Sequence, residues 1–374
     1  MIPFLDLKAQ FKTVQEPLEA AVLSVLRSGN YVLGEPVAAF ERAFAEYCGV
    51  GEAVAVSSGT AALHLALLAA GVEPGDEVIT VPMTFVATVA AIHYAGAKAV
   101  LVDVDPNSFT MSPEAFEAAI TPLTRAVMPV HLHGRLADMA AIGAIANRYG
   151  ITVIEDASQA HGAERDGIRA GAFGSYGCFS FYPGKNLGAC GEGGAVVTHD
   201  SKAAQLLRSL RDWGQEGRSN HVRPGFNLRL DAIQAVALQV KLPYLDGWTQ
   251  KRRRIAAAYE RLLGDTELQL PAPARRAEHV FHVYAIQSEE RDKLRTELAK
   301  AGVSTGIHYP RPVHLQPAYA GLGYEPGDFP VSERLARRFL SLPIFPELVA
   351  PQLARVASAL IRCCEERHVH AADA

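Results

Sequence analysis

The sequence predicts an α/β fold built on a mainly parallel, seven-stranded sheet flanked by helices, followed by a smaller C-terminal α+β domain. Three observations lead there. Between about residue 50 and residue 200, short apolar segments rich in β-branched residues alternate with helical patterns. Most of these segments are apolar at successive positions, as strands are when both faces of a sheet are covered. Beyond about residue 247 the pattern shifts to shorter, mixed elements.

Taken in order, the strand candidates are 53–56, 77–81, 97–104, 126–131, 152–154, 178–182 and 194–198. Helical patterns at 61–70, 85–94, 113–120 and 139–149 separate the earlier ones, so these strands run parallel with helices on both sides. No helical pattern joins the last two, which predicts an antiparallel pairing near that edge. Residues 232–263 read as a long helical stretch broken at Lys241-Leu242-Pro243, because proline lacks the amide that a continuing helix needs. The basic run Lys251-Arg252-Arg253-Arg254 reads as a solvated face of that helix rather than a phosphate site. Segments 282–287, 293–301, 334–339 and 353–365 fill the remainder. The division is placed at 246/247, giving a large domain (1–246) with an N-terminal arm and a small domain (247–374).

Composition narrows the function. The chain is 49% hydrophobic and 20% charged, with a formal net charge of -4, which excludes a disordered or collagen-like chain. Mild acidity argues against nucleic acid, whose phosphates call for a surplus of Lys and Arg. The five cysteines are odd in number, with Cys363 and Cys364 adjacent, which fits reduced thiols and a cytoplasmic location. Residues 1–12 lack a basic segment followed by an apolar core, so no signal peptide is expected. No apolar stretch reaches the ~18 residues of a membrane span.

Four segments carry chemistry: Ser57-Ser58-Gly59-Thr60, Glu155-Asp156, Ser180 to Lys185, and Asn227-Leu228-Arg229. Ser58-Gly59-Thr60 follows a strand and opens an Ala/Leu-rich helix, where unpaired amides and the helix dipole suit a phosphate. Simple capping of the helix by Ser or Thr is the competing reading. Asp156 ends a strongly apolar strand, and open α/β sheets bind ligands beyond the carboxyl ends of their strands. There it could keep a ring nitrogen protonated, or merely cap the segment that follows. Lys185 lies in a Pro-Gly loop just past a strand, where a partly desolvated amine forms Schiff bases. Most lysines are solvated. The glycines at 184, 188, 191, 193 and 194 set this one apart, because they let backbone crowd a ligand. The same glycines do not form a dinucleotide site, since no strand–turn–helix with a distal acid accompanies them. His131 and His133 share one face of a strand, but no third ligand accompanies them and no metal site is expected.

The chain resembles the DegT/StrS family of sugar aminotransferases, within the fold-type I pyridoxal-phosphate enzymes. The resemblance covers most of the chain. It rests on Pro3-Phe4-Leu5-Asp6-Leu7, Ser57 to Thr60, Pro82-Met83-Thr84-Phe85, Glu155 to Gln159, Ser180 to Gly188, Gly225 to Arg229 and His308-Tyr309-Pro310. It implies that Lys185 forms the Schiff base with pyridoxal 5′-phosphate and later shuttles a proton. Asp156 would pair with the ring nitrogen, Phe85 would stack on the ring, and Gln159 would lie near its phenolic oxygen. Ser58, Gly59, Thr60 and Ser180 would hold the phosphate. Asn227 would reach that phosphate from the neighbouring subunit, which makes the protein a homodimer with shared active sites.

Related dehydratases carry His where this chain has Lys185, so the resemblance implies amino transfer. L-glutamate would be the donor, leaving as 2-oxoglutarate, with pyridoxamine 5′-phosphate as the intermediate cofactor form. The acceptor would be a nucleotide-linked keto sugar. Gly306 to Pro310, Val313 to Pro317 and Ser180 to Tyr182 resemble members acting at C3, favouring a dTDP-3-keto-6-deoxyhexose. Tyr182, His308, Tyr309 and His314 would then contact substrate. A 4-keto sugar, a UDP-linked 3-keto uronic acid, and a non-catalytic cofactor-binding regulator are the alternatives.

Overall fold

A computed structural model of the chain describes residues 1–372. An extended arm leads into α1 (Leu7–Ser28) and α2 (Glu35–Cys48). The alternating region holds β1 (Glu52–Val56), α3 (Gly59–Ala69), β2 (Glu77–Thr80), α4 (Ala87–Tyr94), β3 (Lys98–Leu101), α5 (Pro113–Ala118), β4 (Thr124–Val127), α6 (Met139–Tyr149) and β5 (Thr152–Asp156). A small hairpin, β6 (Glu164–Arg165) and β7 (Ile168–Arg169), precedes β8 (Tyr176–Ser180) and β9 (Gly194–Thr198). Then come α7 (Ser201–Arg211), α8 (Ala232–Lys241), α9 (Leu245–Leu263), β10 (Tyr284–Gln287), α10 (Arg291–Lys300), α11 (Pro330–Arg338), β11 (Phe339–Leu342) and α12 (Ala350–Ala372).

Seven strands form the main sheet in the order β1-β9-β8-β5-β4-β2-β3. Strand β9 runs antiparallel to β1 and β8, as the missing crossover helix predicts; the other pairings are parallel. Alternate residues of β1 enter different cores. Val54 and Val56 pack with Val78, Ile154 and Val196, whereas Ala53 and Ala55 pack with Phe179, Ala195 and Val197. Both faces are therefore dry, which explains the continuous apolar runs. Helix α3 is apolar all round and almost wholly buried, and it packs across β8 and β9 and against α4.

Beyond β3, Val102 N still donates to Thr80 O of β2 (2.9 Å), but Val104 pairs with Met111, so β3 is shorter than its pattern. Strands β4 and β8 likewise begin two residues earlier than their apolar patterns and end sooner. At Pro243 the chain passes from α8 to α9 through a single 3₁₀ turn, Leu242–Tyr244. Helix α9 then runs through the 246/247 position at which the sequence divides.

Behind β8 lies an aromatic cluster. The Phe44 ring meets Phe179 at 5.0 Å and Phe181 at 5.2 Å, both edge-on, and Phe40 meets Phe181 at 5.4 Å. Such pairs contribute about 0.5–1.5 kcal/mol each beyond area burial. Burying Phe179 and Phe181 on one side turns Ser180 and Tyr182 to the other, toward the carboxyl edge of the sheet.

A second core lies around the two-stranded antiparallel sheet β10–β11, covered by α9, α10 and α12. The N-terminal arm belongs to it as well. Ile2 is buried there, its amide donates to Gly302 O (2.7 Å), and its carbonyl accepts from Ser304 N (2.9 Å). The sequence places the arm with the large domain; a lone isoleucine has no periodicity to announce the partner it finds.

Buried Glu41 on α2 ties the first strand down. Its Oε1 accepts from Ala55 N (2.8 Å) and from Arg211, which also donates to Ala55 O. Both charged side chains are nearly solvent-free. Glu41→Ala strands the Arg211 guanidinium without its counter-charge and should destabilise the apo-protein by about 3–5 kcal/mol. Urea unfolding measures this, and a loss below about 1 kcal/mol would show the pair to be dispensable.

Candidate active site

The carboxyl ends of β1, β2, β5 and β8 open into one cavity of about 770 Å³. Ser58, just past β1, has extended backbone angles, and its Oγ accepts from Ala61 N (3.1 Å). It is thus a genuine helix cap and also a wall of the cavity. The first intrahelical bond in α3 runs from Ala62 N to Ser58 O, so the amides of Gly59 and Thr60 precede it and remain for another acceptor. A Cβ on Gly59 would sit 2.6 Å from Ser180 Cβ. Only glycine lets the first turn of α3 pack against Ser180 and bring a hydroxyl and two amides to one wall. That cradle fits a phosphate.

Asp156 closes β5, paired in register with Cys178 of β8. Thr88 Oγ1 donates to its Oδ2 (2.8 Å) and Ser158 N to its Oδ1 (3.2 Å). No α-helix follows, so capping of the next segment does not account for it. Lys185 sits in the turn after β8, half-buried on the same cavity wall, its amide bonded to Tyr182 O (2.8 Å). Burial pushes its amine down to about 8, against the opposing pull of the Asp156 charge.

Gln159 is buried and locked. Its Oε1 accepts from His133 N (2.7 Å), so the amide nitrogen must face the other way, where it donates to the Tyr309 hydroxyl (3.0 Å). The Tyr309 proton is left for a further acceptor. The Phe85 ring is 54% exposed, faces the cavity, and lies 5.7 Å from the Tyr309 ring. His308 bonds Ser341 Oγ through Nδ1 (2.8 Å), and its ring stacks on Phe4 of the N-terminal arm. Burial, with His133 and Lys185 nearby, holds His308 down to about 3, so the ring is neutral. His282 is also held well below the usual histidine range, by burial and by the Lys185 and Arg252 charges. Tyr182 is exposed at the rim.

Two expected contacts lie elsewhere. His314 is buried outside the cavity, its Nε2 3.3 Å from Glu333 Oε1 and its ring edge-on to Phe329. It anchors the segment that leads to α11 and does not line the cavity. Asn227 is exposed and does not line the cavity of its own chain. The histidine pair is also accounted for. His131 bonds buried Glu155 (2.9 Å), and His133 donates to His308 O (2.9 Å) across a 3₁₀ turn rather than from a strand. Among the described residues no group of three or more His, Cys, Asp or Glu side chains is arranged to hold a metal.

The basic run on α9 needs correction. Arg252 is buried, donates to Phe281 O and Ile344 O, and lines the cavity, while Arg253 donates to His279 O and Ala277 O. Only part of the run is solvated. Phe4, Leu5, Thr84, Glu192, Arg252 and His282 are cavity residues that the motifs do not reveal. They come from distant segments; Phe4, Leu5 and Thr84 sit inside stretches that carry the resemblance and Glu192 inside the glycine run, with no cavity role attached to any of them. A second cavity of about 730 Å³, between α9 and residues 270–275, has neither lysine nor cysteine in its walls.

An amine that is partly neutral near pH 8, a carboxylate fixed across from it, an aromatic wall and a phosphate cradle define a pyridoxal-phosphate enzyme of the aminotransferase fold. The chain belongs to the DegT/DnrJ/EryC1/StrS aminotransferase family, whose model matches residues 12–361. Aminotransferases of this family use pyridoxal phosphate. The chain is 46% identical to the dTDP-3-amino-3,4,6-trideoxy-alpha-D-glucose transaminase of Streptomyces venezuelae, over 96% of this chain and 95% of that one. It is 44% identical to a "pleiotropic regulatory protein" of Geobacillus stearothermophilus, over 94% and 95% of the two chains. The crystal structure of S. venezuelae DesV in complex with a ketimine intermediate superposes with a TM-score of 0.95 at 46% identity, covering 97% of this chain and 98% of that one.

The heightened acidity of the Lys185 ammonium sets a pH profile. The neutral amine is the nucleophile, so the rate at which apo-protein combines with pyridoxal phosphate should rise with pH and level off above about 8. The negative charge of Asp156 favours the protonated amine, so Asp156→Asn should move that midpoint to lower pH. Stopped-flow absorbance from pH 6.5 to 10 measures both; a rate still climbing at pH 10 would show an ordinary solvated lysine.

Proposed function

We propose that this protein is a pyridoxal-phosphate-dependent transaminase that carries the amino group of L-glutamate to C3 of a nucleotide-linked keto sugar, a dTDP-3-keto-6-deoxyhexose being favoured. The supporting observation is the meeting of Lys185, Asp156 and the α3 amides in one cavity. The bound cofactor supplies an aldehyde that accepts amino groups and a ring that delocalises electrons from a breaking C–H bond. The chain supplies the rest. The Gly59 and Thr60 amides with the Ser180 hydroxyl hold a phosphate. Asp156 keeps a proton on the ring nitrogen, and Phe85 covers a ring face. The Lys185 amine would take a proton from the donor carbon and return one to the acceptor carbon. The two half-reactions alternate in one site, glutamate leaving as 2-oxoglutarate before the keto sugar enters.

The choice of C3 draws on the name of the S. venezuelae relative and on the His308-Tyr309 pair in the cavity wall. A regulatory reading takes its support from the name of the Geobacillus relative. The intact Lys185 and Asp156 favour catalysis. Purified protein with L-glutamate and a panel of 3-keto and 4-keto sugars on dTDP and UDP separates these readings. Amination of a dTDP-3-keto sugar is expected. Amination only of 4-keto sugars would move the reaction to C4, and cofactor binding without amination of any of them would favour the regulator.

Each chain of a homodimer would lend its Asn227 to the cavity of its partner. Asn227 lies in an exposed loop with Trp213 and Val222, both also exposed, which suits a face covered by a second copy. Lys185→Ala should abolish turnover, and Asn227→Ala should weaken cofactor retention. Mixed and re-associated, the Lys185→Ala and Asn227→Ala chains should regain tight cofactor retention and turnover at one site per heterodimer, because that site has both residues intact. No recovery on mixing would place Asn227 outside the shared site.

A further inference from the structure

The Asp156 carboxylate is served by a side chain that the family motifs do not single out. Thr88, in the first turn of α4, is fully buried and does not line the cavity. Its Oγ1 lies 2.8 Å from Asp156 Oδ2, 2.8 Å from Thr84 Oγ1 and 3.2 Å from Phe85 O. Thr84, also buried, does line the cavity.

The direction of this chain follows from counting protons. An ionised carboxylate only accepts, so the proton between Thr88 and Asp156 belongs to Thr88. A hydroxyl has one proton, and the charge-assisted bond takes it in preference to the longer contact with Phe85 O. Thr84 must then donate to Thr88. The order is Thr84 to Thr88 to Asp156, while Ser158 N holds the other carboxylate oxygen. Thr88 thus touches both the carboxylate and the backbone of Phe85, the residue that forms the aromatic wall.

We propose that Thr88, itself oriented by Thr84, is a positioning residue that fixes the plane of the Asp156 carboxylate toward the ring nitrogen of the cofactor and holds it in step with Phe85. This rests on the reading that Asp156 faces that nitrogen. Without the hydroxyl, Oδ2 loses its donor and the carboxylate can turn about its last torsion, which is broad and soft. A proton on the ring nitrogen is then held less firmly. Less positive charge remains near the nitrogen that joins Lys185 to the cofactor, so that nitrogen keeps its own proton to higher pH.

The test uses holoenzyme with Thr88→Val, which replaces the hydroxyl by a methyl of similar shape, and with Thr88→Ser, which keeps it. Thr88→Val should release pyridoxal phosphate about tenfold more readily in equilibrium dialysis, the loss expected of one hydrogen bond to a charged group. Its visible absorbance should titrate with a midpoint raised by roughly half a pH unit or more. Thr88→Ser should restore both. Where Thr88→Val is misfolded by circular dichroism, Thr88→Ala carries the same expectations. In an Asp156→Asn background Thr88→Val should add nothing. If Asp156→Asn changes retention and midpoint but Thr88→Val does not, or if Thr88→Ser is as impaired as Thr88→Val, the positioning role is overturned and the reading of Asp156 stands. If Asp156→Asn itself changes neither, that reading fails and the role of Thr88 falls with it.

Discussion

The site depends on one pairing, the parallel register between β5 and β8. Asp156 opposes Cys178, so the carboxylate and the turn that carries Lys185 leave the sheet at the same edge. Side chains alternate along a strand, and a slip of one residue would send Ser180 to the aromatic core and Phe181 to the cavity. The cost of exposing Phe181 while burying Ser180 without a partner makes that slip unfavourable. The phenylalanines behind β8 therefore act on catalysis without approaching a substrate, because they decide which way Ser180 and Tyr182 point.

Electrostatics refine what register positions. The basic amine stands among imidazoles that burial keeps neutral, His282 and His308 in the cavity wall and His161 behind it, where burial and Lys185 hold the last down to about 3. Neutral rings can accept or donate hydrogen bonds without adding charge. The cavity thus avoids a cluster of cations that would repel Lys185 in its protonated form, while the Asp156 charge attracts it. Arg252 is the fixed cation in the wall, and its bonds to two carbonyls tie α9 to the segments just before β10 and just after β11 at one end of the smaller sheet.

The main sheet was legible because its strands are buried on both faces and announce themselves as unbroken apolar runs. Their ends were less so. Val104 is as apolar as β3 but pairs with Met111, and only tertiary pairing tells the two apart. The elements bearing Ser58, Asp156 and Lys185 could be read because each sits where a strand ends and glycine or proline follows. His314 stands near His308 in the chain, but its direction is set by Glu333 on α11. Phe4 lies in a recognised stretch that does not say which cavity it joins, His282 has no local signal, and the run that holds Arg252 reads as solvent-facing until the carbonyls of Phe281 and Ile344 are found beside it.

The arm that pairs Ile2 with residues 302–304 has a further consequence, for the order in which the protein is made. The arm leaves the ribosome roughly 300 residues ahead of the segment it pairs with and cannot find its seat until that segment follows. Until then Phe4 has no His308 to stack on and the wall it helps to build is missing. The sheet can assemble early, but a closed pocket is a late event, and a nascent chain stalled before residue 302 would expose an unfinished cavity to the cell.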